Sequence, residues 1–105
     1  MLRIHSDMLD AISLMPPILG AIERRDRDLA CQLRRAASSV ALNIAEGSGS
    51  FGGVRRARYR TALGSARETL SCLQVAARFQ YIAPVQPALV AIMNRVIGTL
   101  VRVAA

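Results

Sequence analysis

The sequence predicts an all-α protein, an antiparallel up-down four-helix bundle that fills residues 1–105 as a single domain. Three observations lead there. Apolar residues recur at intervals of three and four wherever a period is clear, whereas strand-like alternation is hard to find. Glycine and proline divide the periodic chain into four segments joined by short connections, which favours antiparallel neighbours. The chain of 105 residues, 52% of them hydrophobic, is long and apolar enough to bury one core, which argues against disorder.

The first segment, Leu2 to Arg24, places Met8, Ala11, Ile12, Met15, Leu19 and Ile22 on one helical face. Pro16 and Pro17 interrupt it: proline lacks the N–H of an interior helical bond, so the helix is expected to kink there or break into two. Arg24 to Asp28 forms a charged turn in which Asp26 or Asp28 caps the next helix. That second helix, Arg27 to Glu46, carries Leu29, Leu33, Ala36, Val40 and Ile44 at a buried-seam spacing, and Gly47 is expected to end it.

A loop containing Gly49, Gly52 and Gly53 should follow, and then a third helix from about Val54 to Phe79. Its seam is Tyr59, Leu63, Ala66, Leu70, Leu73 and Ala77, and its flank of Ala62, Ser65, Thr69, Cys72 and Ala76 permits close approach of another helix. Pro84 and Pro87 mark the next loop. The last helix, Pro87 to Val103, repeats Leu89, Ile92, Val96, Leu100 and Val103, with Pro87 suited to its first turn.

Fourteen basic residues, all arginine, face seven acids for a net charge of +7. The two signs balance over residues 1–53, and the whole surplus lies in residues 54–105, where Glu68 is the only acid. Such a surplus favours polyanions, because guanidinium binds phosphate bidentately. An arginine-only usage also fits a bland compositional bias, so charge alone leaves nucleic-acid binding open.

Cys31 and Cys72 lie inside apolar patterns without metal-ligand spacing, and are expected to be small buried hydrophobes in a reduced, cytoplasmic protein. No membrane association is expected, since Pro16 and Pro17 break the first apolar run and Asn94 and Arg95 sit near the middle of the last. His5 is the only histidine, so neither a metal site nor a Ser/His or Cys/His pair can be assembled. No cofactor and no enzymatic activity are expected.

Residues 32–47 read QLRRAASSVALNIAEG, and this run resembles the signature of the small four-helix-bundle proteins encoded within intervening sequences of bacterial 23S rRNA genes. Tyr59-Arg60, Ala62 to Ala66, Glu68 and Leu70 resemble the family's second block, and Tyr81-Ile82 also fits. The resemblance implies an all-α bundle and a ring-like homo-oligomer, commonly a pentamer. It is also similar to a related branch, the basic accessory protein of diversity-generating retroelements, whose pentameric barrel associates with nucleic acid and the reverse transcriptase. Pro16 and Pro17 depart from the family's uninterrupted first helix. The resemblance carries no catalytic residue.

Two constellations stand out. At 100° per residue, Arg56, Arg60, Arg67 and Arg78 fall within a sector of about 40° on the third helix, with Gln74 beside them. Such a row suits successive phosphates of RNA or DNA, repeated around a ring to gain avidity, and it equally suits a solvated edge. Arg55 and Arg56 also follow the glycines, where helix N-terminal backbone suits one phosphate. Gly47, Gly49 and Gly52 spell GxGxxG after a helix rather than a strand, which argues against dinucleotide binding. The four aromatics, Phe51, Tyr59, Phe79 and Tyr81, sit mostly in or beside seams, so phosphate contact without base stacking is expected.

On the second helix, Gln32, Arg35, Ser39, Asn43 and Glu46 line one flank of the seam, where they are expected to fix helix register or a subunit interface. Arg35 and Glu46 stand roughly 16 Å apart along the helix and therefore need partners on other helices. The alternative to a nucleic-acid factor is a structural interaction module whose partners are sister subunits or another protein.

Overall fold

The computed structural model describes residues 2–105 as five helices with no strand among them: α1 (Arg3–Ser13), α2 (Pro16–Glu23), α3 (Arg27–Ser48), α4 (Gly52–Arg78) and α5 (Pro87–Val103). The first expected helix is broken. Pro16 and Pro17 occupy the opening turn of α2, where missing N–H groups cost nothing, and Met15 precedes them at the N-cap position without a side-chain cap. Helix α1 packs on α3 and α5, α2 on α3, and α4 on both α3 and α5.

Asp26 rather than Asp28 caps α3: its carboxylate accepts from the Leu29 amide at 3.0 Å, while Asp28 sits in the first turn. Asp26→Ala should therefore cost about 1 kcal/mol in denaturant unfolding, and Asp26→Ser should retain most of it.

The α3–α4 connection corrects the expected boundaries. Gly47 lies inside α3, which continues to Ser48, and α4 already begins at Gly52, so the loop shrinks to Gly49, Ser50 and Phe51. Gly47 is needed for space instead of a turn. A Cβ there would stand 2.5 Å and 2.7 Å from ring carbons of the buried Tyr59.

Ile4, Met8, Met15, Ile22, Leu33, Val40, Ile44, Leu73, Leu89, Met93, Val96 and Leu100 form the interior. On α4 the buried face is rotated from the expected seam toward the small flank. Ala62, Ala66, Thr69, Cys72 and Ala76 are buried, whereas Leu63 and Leu70 are half-buried. Small side chains let α3 and α4 approach closely, so the tightest helix pair turns that flank inward. Thr69 is the buried polar side chain of this face and donates to the Ser65 carbonyl at 2.8 Å.

Candidate nucleic-acid interface

The six arginines of α4 separate into an exposed row of four, Arg58 paired with Glu46, and Arg55. Arg56, Arg60, Arg67 and Arg78 are exposed with Gln74 on one face, over about 33 Å of helix, close to one turn of a nucleic-acid duplex. Three ion pairs occur among the described residues, Arg34–Glu23 at 3.7 Å, Arg58–Glu46 at 3.1 Å and Arg95–Asp7 at 3.7 Å, and none involves this row. Arg60 has one local contact, its Nε–H donating at 3.1 Å to the Ala104 carbonyl at the C-terminal end of α5. That bond satisfies a terminal carbonyl and leaves the outer nitrogens of the guanidinium available.

Arg55 stands apart from the row. Its Nε–H donates to the carbonyls of Gly47 at 3.2 Å and Ser50 at 2.8 Å, and its guanidinium lies 5.7 Å from the centre of the Phe51 ring. It is a clasp on the tight α3–α4 connection. With Gly52 and Gly53 drawn into α4, no open glycine loop remains beside it.

Helix energetics account for one member of the row: Arg78 lies in the last turn of α4, where a cation complements the helix dipole. The first turn of α4 contains no acid, and Arg55 and Arg56 stand at its end with Arg58 and Arg60 following in the next turns. Glu46 offsets Arg58 from α3, and Arg56 has no such partner among the described residues.

The polar residues of α3 form a seam against α4. Ser39 and Ser65 hydroxyls meet at 2.8 Å, and the Asn43 side-chain amide donates to the Ser39 carbonyl at 2.9 Å and its hydroxyl at 3.1 Å. The Ser39 hydroxyl thus joins Asn43 on its own helix to Ser65 on α4. Glu46 finds its partner on α4, whereas Arg35 and Gln32 are exposed and share the rim of an open pocket with Asp28, Cys31 and Glu68. Ser39→Ala and Ser65→Ala should each cost about 1 kcal/mol, and the double variant should cost less than their sum, because the second change removes a hydroxyl already unpartnered.

Cys72 is buried and Cys31 half-buried, so only the first matches the expected burial; both are free. Desolvation, followed by the nearby Glu68 charge, raises the Cys72 thiol above its ordinary pKa, which disfavours the nucleophilic thiolate. No group of three or more His, Cys, Asp or Glu that could hold a metal ion occurs among the described residues. None of the described helices is long and apolar enough to cross a membrane.

Sequence reasoning missed two surface features. Phe79 and Phe51 are not seam residues: they are 63% and 82% exposed. A signal for Phe79 was present, since continuing the helical period puts it about 160° from the α4 seam. The second feature is an open pocket between α1 and α5, lined by Arg3, Arg95 and Arg102 with Asp7. Its arginines come from helices distant in sequence, so no local spacing announces them.

These features describe a small all-helical protein whose longest helix carries an exposed basic face. The family model for 23S rRNA-intervening sequence proteins matches residues 20–100, and the chain belongs to that family. Its fold is similar to the crystal structure of a protein of unknown function of the S23 ribosomal protein family from Bacteroides thetaiotaomicron, with a TM-score of 0.79. That likeness covers 96% of this chain and 97% of the other at 17% identity, and it concerns the fold alone. No curated protein matches the sequence.

Proposed function

We propose that the protein is a non-enzymatic, cytoplasmic accessory or scaffold factor that binds the phosphates of RNA or DNA as a homo-oligomer, with a pentamer implied by the family. The observation that carries this reading is the row Arg56, Arg60, Arg67 and Arg78, exposed on one face of α4 and outside every ion pair among the described residues. Arg56 and Arg67 stabilise neither their helix nor a neighbouring one, while Arg60 and Arg78 support the ends of α5 and α4 and keep guanidinium nitrogens facing outward, and together the four match a phosphate backbone. The same reading takes the helices as an antiparallel four-helix bundle, α1 and α2 forming its first leg. The pairs Ser39–Ser65 and Glu46–Arg58 support that order, since they progress in opposite chain directions on α3 and α4.

Titrating the protein with generic RNA and duplex DNA across a salt series tests the proposal. Binding should weaken steeply as salt rises, as counterion release requires. Absence of binding at low salt would leave the second reading, a structural interaction module. That reading is favoured by Leu42, Phe51 and Val54, which are 62%, 82% and 60% exposed.

A further inference from the structure

We infer that Phe79, at the C-terminal end of the arginine row, is a stacking platform for an unpaired nucleobase of a single-stranded polynucleotide. The inference rests on the phosphate reading above and adds to it what the strand must present.

The platform is built by the end of α4. Gln80 takes φ 63°, a left-handed conformation that glycine adopts most cheaply. The Tyr81 amide then donates to the Ala76 carbonyl at 2.9 Å and the Gln80 amide to the Ala77 carbonyl at 3.0 Å, the paired bonds of a Schellman ending. With the backbone so fixed, the rings of Phe79 and Tyr81 stack, their centres 5.4 Å apart and their planes 16° from parallel. Tyr81 is half-buried and also carries the Arg25 guanidinium 5.7 Å from its ring centre. Phe79, by contrast, is 63% exposed and borders an open pocket of about 630 Å³ shared with Gln74, Arg78, Pro84 and Val85. A ring already held by its neighbour loses little freedom when a further ring joins the stack.

Charge points to the occupant. No carboxylate lines this pocket, and its arginine is the last member of the row, with Arg67 about 16 Å back along the helix. An aromatic face beside guanidinium groups suits a base and its flanking phosphates, the combination that single-strand binders use. A base inside a duplex is already stacked and cannot occupy it. Phe51 does not offer the same site, because Arg55 lies over its ring.

The wild-type chain contains no tryptophan, so Phe79→Trp introduces a single fluorophore at the platform. Its emission should be quenched by an oligoadenylate of about eight nucleotides, RNA or DNA, and not by an abasic strand of equal length or by duplex. Phe79→Ala should weaken oligoadenylate binding about tenfold while leaving abasic-strand affinity and the salt slope unchanged. Phe51→Ala should alter neither.

Binding without quenching, or an equal loss for the abasic strand, would overturn the inference. So would a change in solution mass on Phe79→Ala, which would make the ring a protein contact. If the wild type binds oligoadenylate and abasic strand equally, the stacking site falls and the phosphate row stands. If it binds duplex but no single strand at low salt, the stacking site alone falls; if it binds neither, both fall.

Discussion

Gly47→Ala is expected to destabilise the protein by about 2 kcal/mol, although alanine is the better helix former. Gly47 lies inside α3, where replacing glycine ordinarily gains up to about 1 kcal/mol. Here the added methyl would meet the Tyr59 ring at 2.5 Å. That ring is 5% exposed, packed in the core, and its hydroxyl lies 3.4 Å from the Ser48 hydroxyl, so it has little room to retreat. The cost of overpacking therefore exceeds the gain in helix propensity. Denaturant unfolding should show a lower midpoint with an unchanged slope. In a double variant with Tyr59→Leu, the Gly47→Ala change should cost much less, because the smaller side chain vacates the space. A stabilised Gly47→Ala would show that the ring yields freely.

Reversing Arg56 and Arg67 together to glutamate is expected to lower affinity for RNA or DNA on the order of a hundredfold at low salt. If each arginine neutralises one phosphate, the slope of log affinity against log salt should fall by about 1.8 on duplex and about 1.4 on single strands. These two are chosen because Arg60 also holds the Ala104 carbonyl, so its reversal would disturb the end of α5 as well. Arg56 and Arg67 are exposed and outside every ion pair among the described residues, so stability should change by no more than about 0.5 kcal/mol. Binding assays beside unfolding curves separate the two effects. Retained affinity would remove the row from the function.

Helix positions were legible because each apolar stripe has the period of its own helix. Leu33, Val40 and Ile44 on α3 and Leu89, Val96 and Leu100 on α5 are all buried as their spacing requires. The break at Pro16 and Pro17 was legible because proline removes a backbone donor whatever surrounds it. The end of α3 was misread. Glycine after a periodic run signals a helix terminus, and only the Tyr59 ring from α4 reveals that Gly47 provides clearance.

The same division runs through the surface. Local spacing alone put Arg56, Arg60, Arg67 and Arg78 on one side of α4, because four residues on one helix share a face by period. Whether that side looks outward depends on which flank α3 claims, and the small residues Ala62, Ala66, Thr69 and Cys72 settle that by allowing the closest approach. Arg55 shows the limit of spacing: one residue before Arg56, it bends back to the carbonyls of Gly47 and Ser50. The exposed stack of Phe79 on Tyr81 follows from the left-handed Gln80 and from packing at the end of α4. The sequence by itself determined the helices, their proline break and the grouping of charge, all properties of neighbours along the chain. Tertiary structure alone decided which faces are covered and which arginines are left free, because burial depends on contacts between helices far apart in sequence.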